Sequence, residues 1–337
     1  MSGYRLVTYQ AEDGPRAGIV IGKMLYDAAS ATGRSSYAHV TAILEDWRRA
    51  DETFRQFVPA SLKGQSFAQS NLRAPVLWPS AIYCAGINYH DHAAEMSRQW
   101  ARDSKLDPKV LLGKPWHFLK APRSIADPGA TVDVSEYTKQ LDWEIELAAI
   151  IGIPARHVPA EHALDYVAGY TIANELSARD RTRRVSAPQD TPFHFDWLGQ
   201  KSFEGACPLG PVIVPASDIP NPQSLSLRLW VNDVVKQDSN SSQMIFSLAE
   251  QIAQLSDGIT LHPGDIILTG TPAGVGAGRG EFLKAGGYRD CRDRRNWRAN
   301  HSYRLSRLAP LFPAEQRRVP LRFHLCNVSL MVTRTDD

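Results

Sequence analysis

Residues Leu141–Ile151 read LDWEIELAAII, and no other stretch says as much about the fold. Glu144 and Glu146 stand two apart, so on a strand both carboxylates point to one side while Ile145 and Leu147 point to the other. An apolar run follows at once. Two acids on a strand that leads into a core are costly unless something neutralises them. A hard divalent cation does so, and oxygen ligands suit Mg²⁺, Mn²⁺ or Ca²⁺. A solvated strand face is the other reading of the same spacing.

Working outward, the same character continues. Ala168–Ala173, Val212–Val214, Leu225–Val231 and Asp265–Thr269 read as further strands between Gly/Pro punctuation. Helical patterns are fewer: Asp91–Arg98, Ala160–Leu164 and Met244–Ser256. Many strands with few crossover helices predict a mainly β (α+β) catalytic domain with closed or packed sheets. Ahead of it, Tyr4–Tyr9, Ala17–Ile21 and Lys23–Ala28 form a small β-rich unit, and 36–69 reads as helical with a polar link at 63–70. These shifts place a small N-terminal α+β domain at 1–72, a catalytic domain at 73–287 and an atypical tail at 288–337.

Four further segments carry chemistry. In AGYTIANELSARD (168–180) a short apolar strand runs into Asn174, Glu175, Arg179 and Asp180, which makes Glu175 a candidate third carboxylate ligand. In GINYHDHAAE (86–95) His92 and Glu95 are three apart and can touch on one helical turn. A carboxylate so placed orients a histidine as a general base, although His90 and Asp91 crowd the choice and a surface histidine has the same spacing. Lys201 lies in a polar loop of GQKSFEGACPLGP (199–211), where it could stabilise an oxyanion. In PGDIILTGTPAGVG (263–276) a strand ends in a turn whose N–H groups and Thr271 hydroxyl could hold a carboxylate. It contains no GxxxxGK[ST], so it is not a nucleotide phosphate loop.

Composition excludes several classes. The chain has 337 residues, 43% hydrophobic and 22% charged, as ordinary globular proteins do. No apolar run approaches the roughly 18–20 residues of a membrane span. The first residues show no apolar signal segment. Four cysteines at wide spacing, with no CxxC pair, argue against a disulfide framework or a zinc–thiolate site. A reducing cytoplasm is the expected location.

Taken together and in this order, the segments resemble the fumarylacetoacetate hydrolase family. The motifs are GINYHDHAAE, FLKAP (118–122), LDWEIELAAIIG, GYTIANELSARD, QKSFE (200–204), NDVVKQDSNSSQMIF (232–246) and LTGTPAGVG (268–276). Within the family the chain is similar to the acylpyruvate hydrolase and 2-oxohepta-3-ene-1,7-dioate hydratase-isomerase group. The resemblance implies a mixed β-sandwich roll and a homodimer. It implies a divalent metal, usually Mg²⁺, on Glu144, Glu146 and Glu175, the last standing where the family usually has aspartate. It implies that His92 and Glu95 activate water, that Lys201 polarises the substrate, and that Lys120, Arg179, Gln237 and Thr271 bind it. The long segment 181–197 offers Arg183, Arg184, His194 and Asp196 for substrate selection. The implied activity is hydrolysis of a C–C bond in a 2,4-dioxo acid, giving a 2-oxo acid and a carboxylic acid. The alternatives are a hydratase, isomerase or decarboxylase of 2-oxo-alkenedioates, and a binding protein without catalysis.

The resemblance stops after Gly286. Residues 288–337 hold 11 arginines, no lysine, no glycine and five acids. The family would continue with a strand pair around a glycine. Back-translated in the next frame, 288–300 permits IEIAEIEGIGEL, so the segment reads as a frameshift product, with a divergent tail as the alternative. Codons 284–300 that do not spell that string would end the idea. On this reading the basic tail gives no reason to expect a nucleic-acid partner, and the expected partner is a small 2-oxo or 2,4-dioxo acid.

Overall fold

The strand that contains Glu146 runs down the middle of the molecule. In a computed structural model, which describes residues 3–59, 62–99, 107–132, 134 and 136–284, the seven residues Ile145–Ile151 (β10) are all buried. The arginine-rich segment 288–337 and the frameshift expectation attached to it lie outside the described residues.

The N-terminal unit is a five-stranded antiparallel sheet of Arg5–Ala11 (β1), Gly14–Ile21 (β2), Met24–Asp27 (β3), Gln65–Ser66 (β4) and Leu72–Arg73 (β5), in the order β4-β3-β2-β1-β5. Three short helices pack on it: Ala28–Thr32 (α1), Val40–Glu45 (α2) and Trp47–Gln56 (α3). Helix ends at Gln56, short of the expected 69, because the chain must turn back to supply β4.

The second sheet is mixed and six-stranded. It joins Ile82–Ala85 (β6), His117–Lys120 (β7), β10, Val167–Asn174 (β11), Val214–Pro215 (β14) and Ile266–Leu268 (β17), in the order β14-β11-β10-β17-β6-β7. Only β17 and β6 run parallel among these pairs. Small two-stranded sheets border it: Ile125–Ala126 (β8) with Cys207–Pro208 (β13), Leu141–Asp142 (β9) with Ser177–Ala178 (β12), and Ser226–Val231 (β15) with Val234–Asn240 (β16). The helices here are His90–Gln99 (α4), Pro108–Leu112 (α5), Trp197–Lys201 (α6) and Leu248–Gly258 (α7).

Alternation along β10 divides the core in two. Ala148 and Ile150 join Ile82, Cys84, Ile266 and the N-terminal Leu6, Ile43 and Phe54. Ile145, Leu147, Ala149 and Ile151 join Ile267, Leu227, Leu248 and Ile252. The first of these cores crosses residue 72 without a break, since Ala74 and Val76 belong to it with residues of both units. A strand buried on both faces shows no polar alternation, which is why LAAII reads as a continuous run.

Three expected elements differ in detail. In LDWEIELAAII, which reads as a strand over Trp143–Ile151, the ladder begins only at Ile145, because the Glu144 N–H donates to the Asn174 side chain rather than to a neighbouring strand. Ala160–Tyr166 forms a 3₁₀ helix. Helix α7 begins at Leu248 and not at Met244, because Ser247 and Glu250 close a capping box there.

Candidate active site and metal centre

Glu144, Glu146 and Glu175 come together at the edge of β10. One oxygen from each lies within 4.8 Å of the others, and all three residues are buried. The expectation of a solvated face fails here: their exposures are 5%, 1% and 2%. Backbone pairing sets the arrangement. Ile145 faces Asn174 across the β10–β11 ladder, and the Glu175 N–H donates to the Glu144 carbonyl at 2.8 Å. The strand end that was legible as a strand-to-loop exit thus delivers Glu175 beside the pair.

Three cations surround the cluster. Lys201 Nζ bridges Glu144 Oε2 at 2.7 Å and Glu175 Oε2 at 2.5 Å. Arg179 donates to Asp142 at 2.8 Å and to Glu144 Oε1 at 2.5 Å. Lys120 Nζ lies 3.4 Å from Glu175 Oε1 and donates to the Lys201 carbonyl. Lys201 ends a short helix, α6, and is buried, where a polar loop was expected. Asp196 caps that helix by accepting from the Gly199 N–H.

The electrostatics divide the three acids. Burial opposes ionisation of Glu144, but the Lys201 and Arg179 charges overcome it and hold its pKa below the ordinary carboxylate value. Burial, then the charges of Glu175 and Glu144, hold Glu146 well above that value. Glu175 is also raised, by burial, against the pull of Lys201 and Lys120. Its Oε1 has no hydrogen-bond donor. Were Asp142 and the three glutamates all ionised, four negative charges would face three positive ones; the raised pKa of Glu146 reflects the cost of that excess, which a divalent cation would offset. Hard oxygen donors, an excess of negative charge and an undonated buried oxygen fit a divalent cation such as Mg²⁺ or Mn²⁺.

The turn after β17 ties this cluster to the histidine motif. The Gly270 N–H donates to Glu146 at 2.7 Å, and the Gly274 N–H donates to Glu95 at 3.1 Å. Two residues four apart span at most about 14 Å, so one turn holds both groups. Gly270 has φ +94°, and a Cβ there would come within 2.9 Å of Asn88. The turn therefore needs a glycine. His92 Nδ1 lies 3.3 Å from Glu95 Oε2, as the three-residue spacing predicts, and His92 is buried. Burial opposes the charge on Glu95, but the bonds from His92 and Gly274 hold its pKa below the ordinary value.

Two expected substrate contacts, Thr271 and Gln237, bond protein groups beside the cluster. The Thr271 hydroxyl donates to the Ile145 carbonyl and accepts from Gln237, whose amide also donates to Pro272 O and accepts from the Ile145 N–H. Both side chains brace the backbone between Glu144 and Glu146. Arg179 and Lys120 likewise face carboxylates. In 181–197, Arg184 pairs with Asp196 at 3.4 Å and His194 Nδ1 lies 3.2 Å from Ala187 O, while Arg183 pairs along the backbone with Phe195.

Sequence reasoning passed over Asp142, which accepts from the Gly276 and Ala277 N–H groups and pairs with Arg179. It also passed over Ser177, which donates to Glu144 at 3.0 Å. The Asp two places before Glu144 was the available signal for the first; Ser177 had none.

Known proteins share this chain's sequence and fold. The chain is 35% identical over 254 residues, 75% of each chain, to the human mitochondrial oxaloacetate tautomerase FAHD2B. Its fold matches the fumarylacetoacetate hydrolase of Exiguobacterium antarcticum at 30% identity and TM-score 0.69, covering 84% of this chain and 92% of that one. It also matches a maleylpyruvate hydrolase of Sphingobium sp. SYK-6, solved in complex with manganese(II) and pyruvate, at 28% identity and TM-score 0.61, covering 81% and 90%. The fumarylacetoacetate (FAA) hydrolase C-terminal family matches residues 81–291, which hold the glutamate cluster, the His92–Glu95 pair and the turn between them. The chain is therefore an enzyme of the fumarylacetoacetate hydrolase family.

Proposed function

We propose that this enzyme carries a divalent cation, Mg²⁺ or Mn²⁺, on Glu144, Glu146 and Glu175 and moves a proton at C3 of a 2-oxo acid. Keto–enol conversion of an oxaloacetate-type acid is the reading favoured by the human relative, an oxaloacetate tautomerase 35% identical over 254 residues. One observation carries the common chemistry: a buried three-carboxylate cluster and a His–Glu pair hang on the two ends of the same turn.

The bound cation supplies Lewis-acid charge for the oxygens of a chelating 2-oxo acid. The ionised Glu95 holds the His92 Nδ1–H, which leaves Nε2 as the proton acceptor. From the keto acid, His92 takes the C3 proton and the C2 oxygen takes one from solvent to give the enol; from the enol, the O–H proton leaves to solvent and His92 returns a proton to C3. Lys201, held between Glu144 and Glu175, adds positive charge beside the developing enolate. Asp142 and Arg179 keep Glu144 oriented and ionised.

A second reading is C–C hydrolysis of a 2,4-dioxo acid. It is favoured by the same His92–Glu95 pair, which can instead deprotonate water for attack at C4. The C3–C4 bond then breaks, a carboxylic acid leaves, and C3 takes up a proton to give the 2-oxo acid. Both readings pass through the enolate, and the substrate decides between them: a C4 carboxylate resists water, a C4 ketone accepts it. A homodimer and a cytoplasmic location complete the proposal. No helix among the described residues is long and apolar enough to cross a membrane.

The test uses purified enzyme with Mg²⁺ or Mn²⁺, oxaloacetate and acetylpyruvate, followed by enol absorbance and product analysis. Faster approach to the keto–enol equilibrium of oxaloacetate, abolished in Glu144→Gln, supports the first reading. Pyruvate and acetate from acetylpyruvate support the second. Folded protein active on neither refutes both.

A further inference from the structure

A ladder of side chains descends from solvent to the carboxylate cluster. On one side, Trp116, Phe118 and Lys120 recur at every second residue as the chain enters and follows β7, so they share a face. On the other, Trp197 and Lys201 stand four apart on α6 and share its face. The two faces meet rung by rung. Trp116 and Trp197 have ring centroids 5.0 Å apart, and Phe118 stacks on Trp197 at 5.3 Å and 30°. Lys201 Nζ lies 5.6 Å from the centre of the Phe118 ring. Exposure falls along the ladder, from 43% at Trp116 and 37% at Trp197 to 1% at Lys120 and 4% at Lys201. Phe195 extends it outward, stacked on Trp197 at 6.4 Å and 43% exposed.

The position of these rings is built in. A Cβ on Gly86 would come within 2.3 Å of the Trp116 ring, so the glycine that opens the histidine motif leaves the space Trp116 fills. Large aromatic rings left partly in water, in a row that ends at a charged site, are costly unless something covers them.

We propose that Trp116, Phe118, Trp197 and Phe195 form a specificity wall that receives a flat apolar substituent, aryl above all, carried at C3 of the 2-oxo acid. The inference rests on the proposed function for the position of the 2-oxo acid group. Continuity argues for a substrate group as the occupant: the inner end of the ladder is Lys201, whose ammonium touches two of the three glutamates. Chemistry argues for an aryl group. The rungs beyond Lys201 are aromatic faces, suited to offset stacking, and the nearby Arg184 is paired with Asp196 instead of facing them.

The experiment compares phenylpyruvate with 2-oxobutanoate, which differ in a phenyl or a methyl group on C3. Equilibrium binding to the Mn²⁺-loaded full chain is measured by titration calorimetry, with C3 hydrogen–deuterium exchange followed separately by NMR. The wild type should bind phenylpyruvate about tenfold or more tightly than 2-oxobutanoate. Trp197→Ala should bring the ratio toward one, and Trp116→Ala, a second variant outside any helix, should move it the same way. Equal binding of the two acids by the wild type, or binding of neither, overturns the wall. So does an equal loss for both acids in both variants, or a change of oligomeric state with the ratio intact, which would make the patch a contact between copies of the chain. Selective binding of phenylpyruvate without exchange at C3 would instead leave the wall standing and refute the proposed proton transfer.

Discussion

Gln237→Leu separates two accounts of a buried residue. The resemblance casts Gln237 as a substrate contact; its geometry makes it a brace for the backbone that carries Glu144 and Glu146. Gln237 is fully buried and makes three hydrogen bonds, from Ile145 N–H at 2.9 Å and to Thr271 Oγ1 and Pro272 O at 2.8 Å. Leucine nearly preserves the volume but leaves the Ile145 N–H and Pro272 C=O without partners. Thr271 keeps its donation to Ile145 O, so it adds little. Two orphaned buried backbone groups at about 1–3 kcal/mol each give about 2–6 kcal/mol of lost stability. That is a large part of a typical total of about 5–15 kcal/mol, and corresponds to a Tm lower by about 5–15 °C. Since Ile145 lies between two glutamates of the cluster, Mn²⁺ affinity should fall with stability. Thermal unfolding and Mn²⁺ titration check both. A variant that unfolds within about 2 °C of wild type, binds Mn²⁺ normally and shows only a raised KM would refute the brace and restore the substrate contact.

Three other outcomes follow from the geometry. Glu95→Gln removes the charge that holds the His92 Nδ1–H, so kcat/KM should fall by about tenfold or more; an unchanged kcat/KM would remove Glu95 from the pair. Asp27 is held at about 2, because the Arg16 and Ser30 bonds outweigh burial. Its native pKa is depressed, so its contribution is present above the ordinary 3.8 and lost as pH falls toward about 2. Asp27→Asn should therefore lower Tm at pH 7 and converge on wild type near pH 2; an equal difference at both pH values would contradict this. Gly274 has φ +104° and its Cβ would sit 2.1 Å from the Lys236 carbonyl, so Gly274→Ala should cost about 3 kcal/mol or more and loosen the N–H that Glu95 accepts. A Tm within 2 °C of wild type would show that the turn can shift.

Much of the site was legible in LDWEIELAAII and its companions. The i, i+2 glutamates, the His92–Glu95 spacing and the strand end at Glu175 each follow from the local period of a strand or a helical turn. Local period is set by backbone geometry, which a sequence reports directly. What period could not say is which polar groups face each other across the sheets. Thr271 and Gln237 meet Ile145 over separations of 126 and 92 residues, and Asp142 meets Gly276 over 134. These pairings arise when the packed sheets bring distant backbone groups into a place without water, where each must find a partner.

The same division holds for the protein as a whole. The sequence by itself determined a mainly β chain, with acids placed to hold a cation and a histidine placed against a glutamate, because residue type and spacing fix those within a few positions. Only the tertiary structure decided that Lys201 is buried between two of those glutamates, that Arg179, Lys120, Gln237 and Thr271 face protein groups, and that Trp116 and Trp197 stand in one row. Each depends on which strand lies next to which, and that order is settled by the burial of two cores on the two faces of β10.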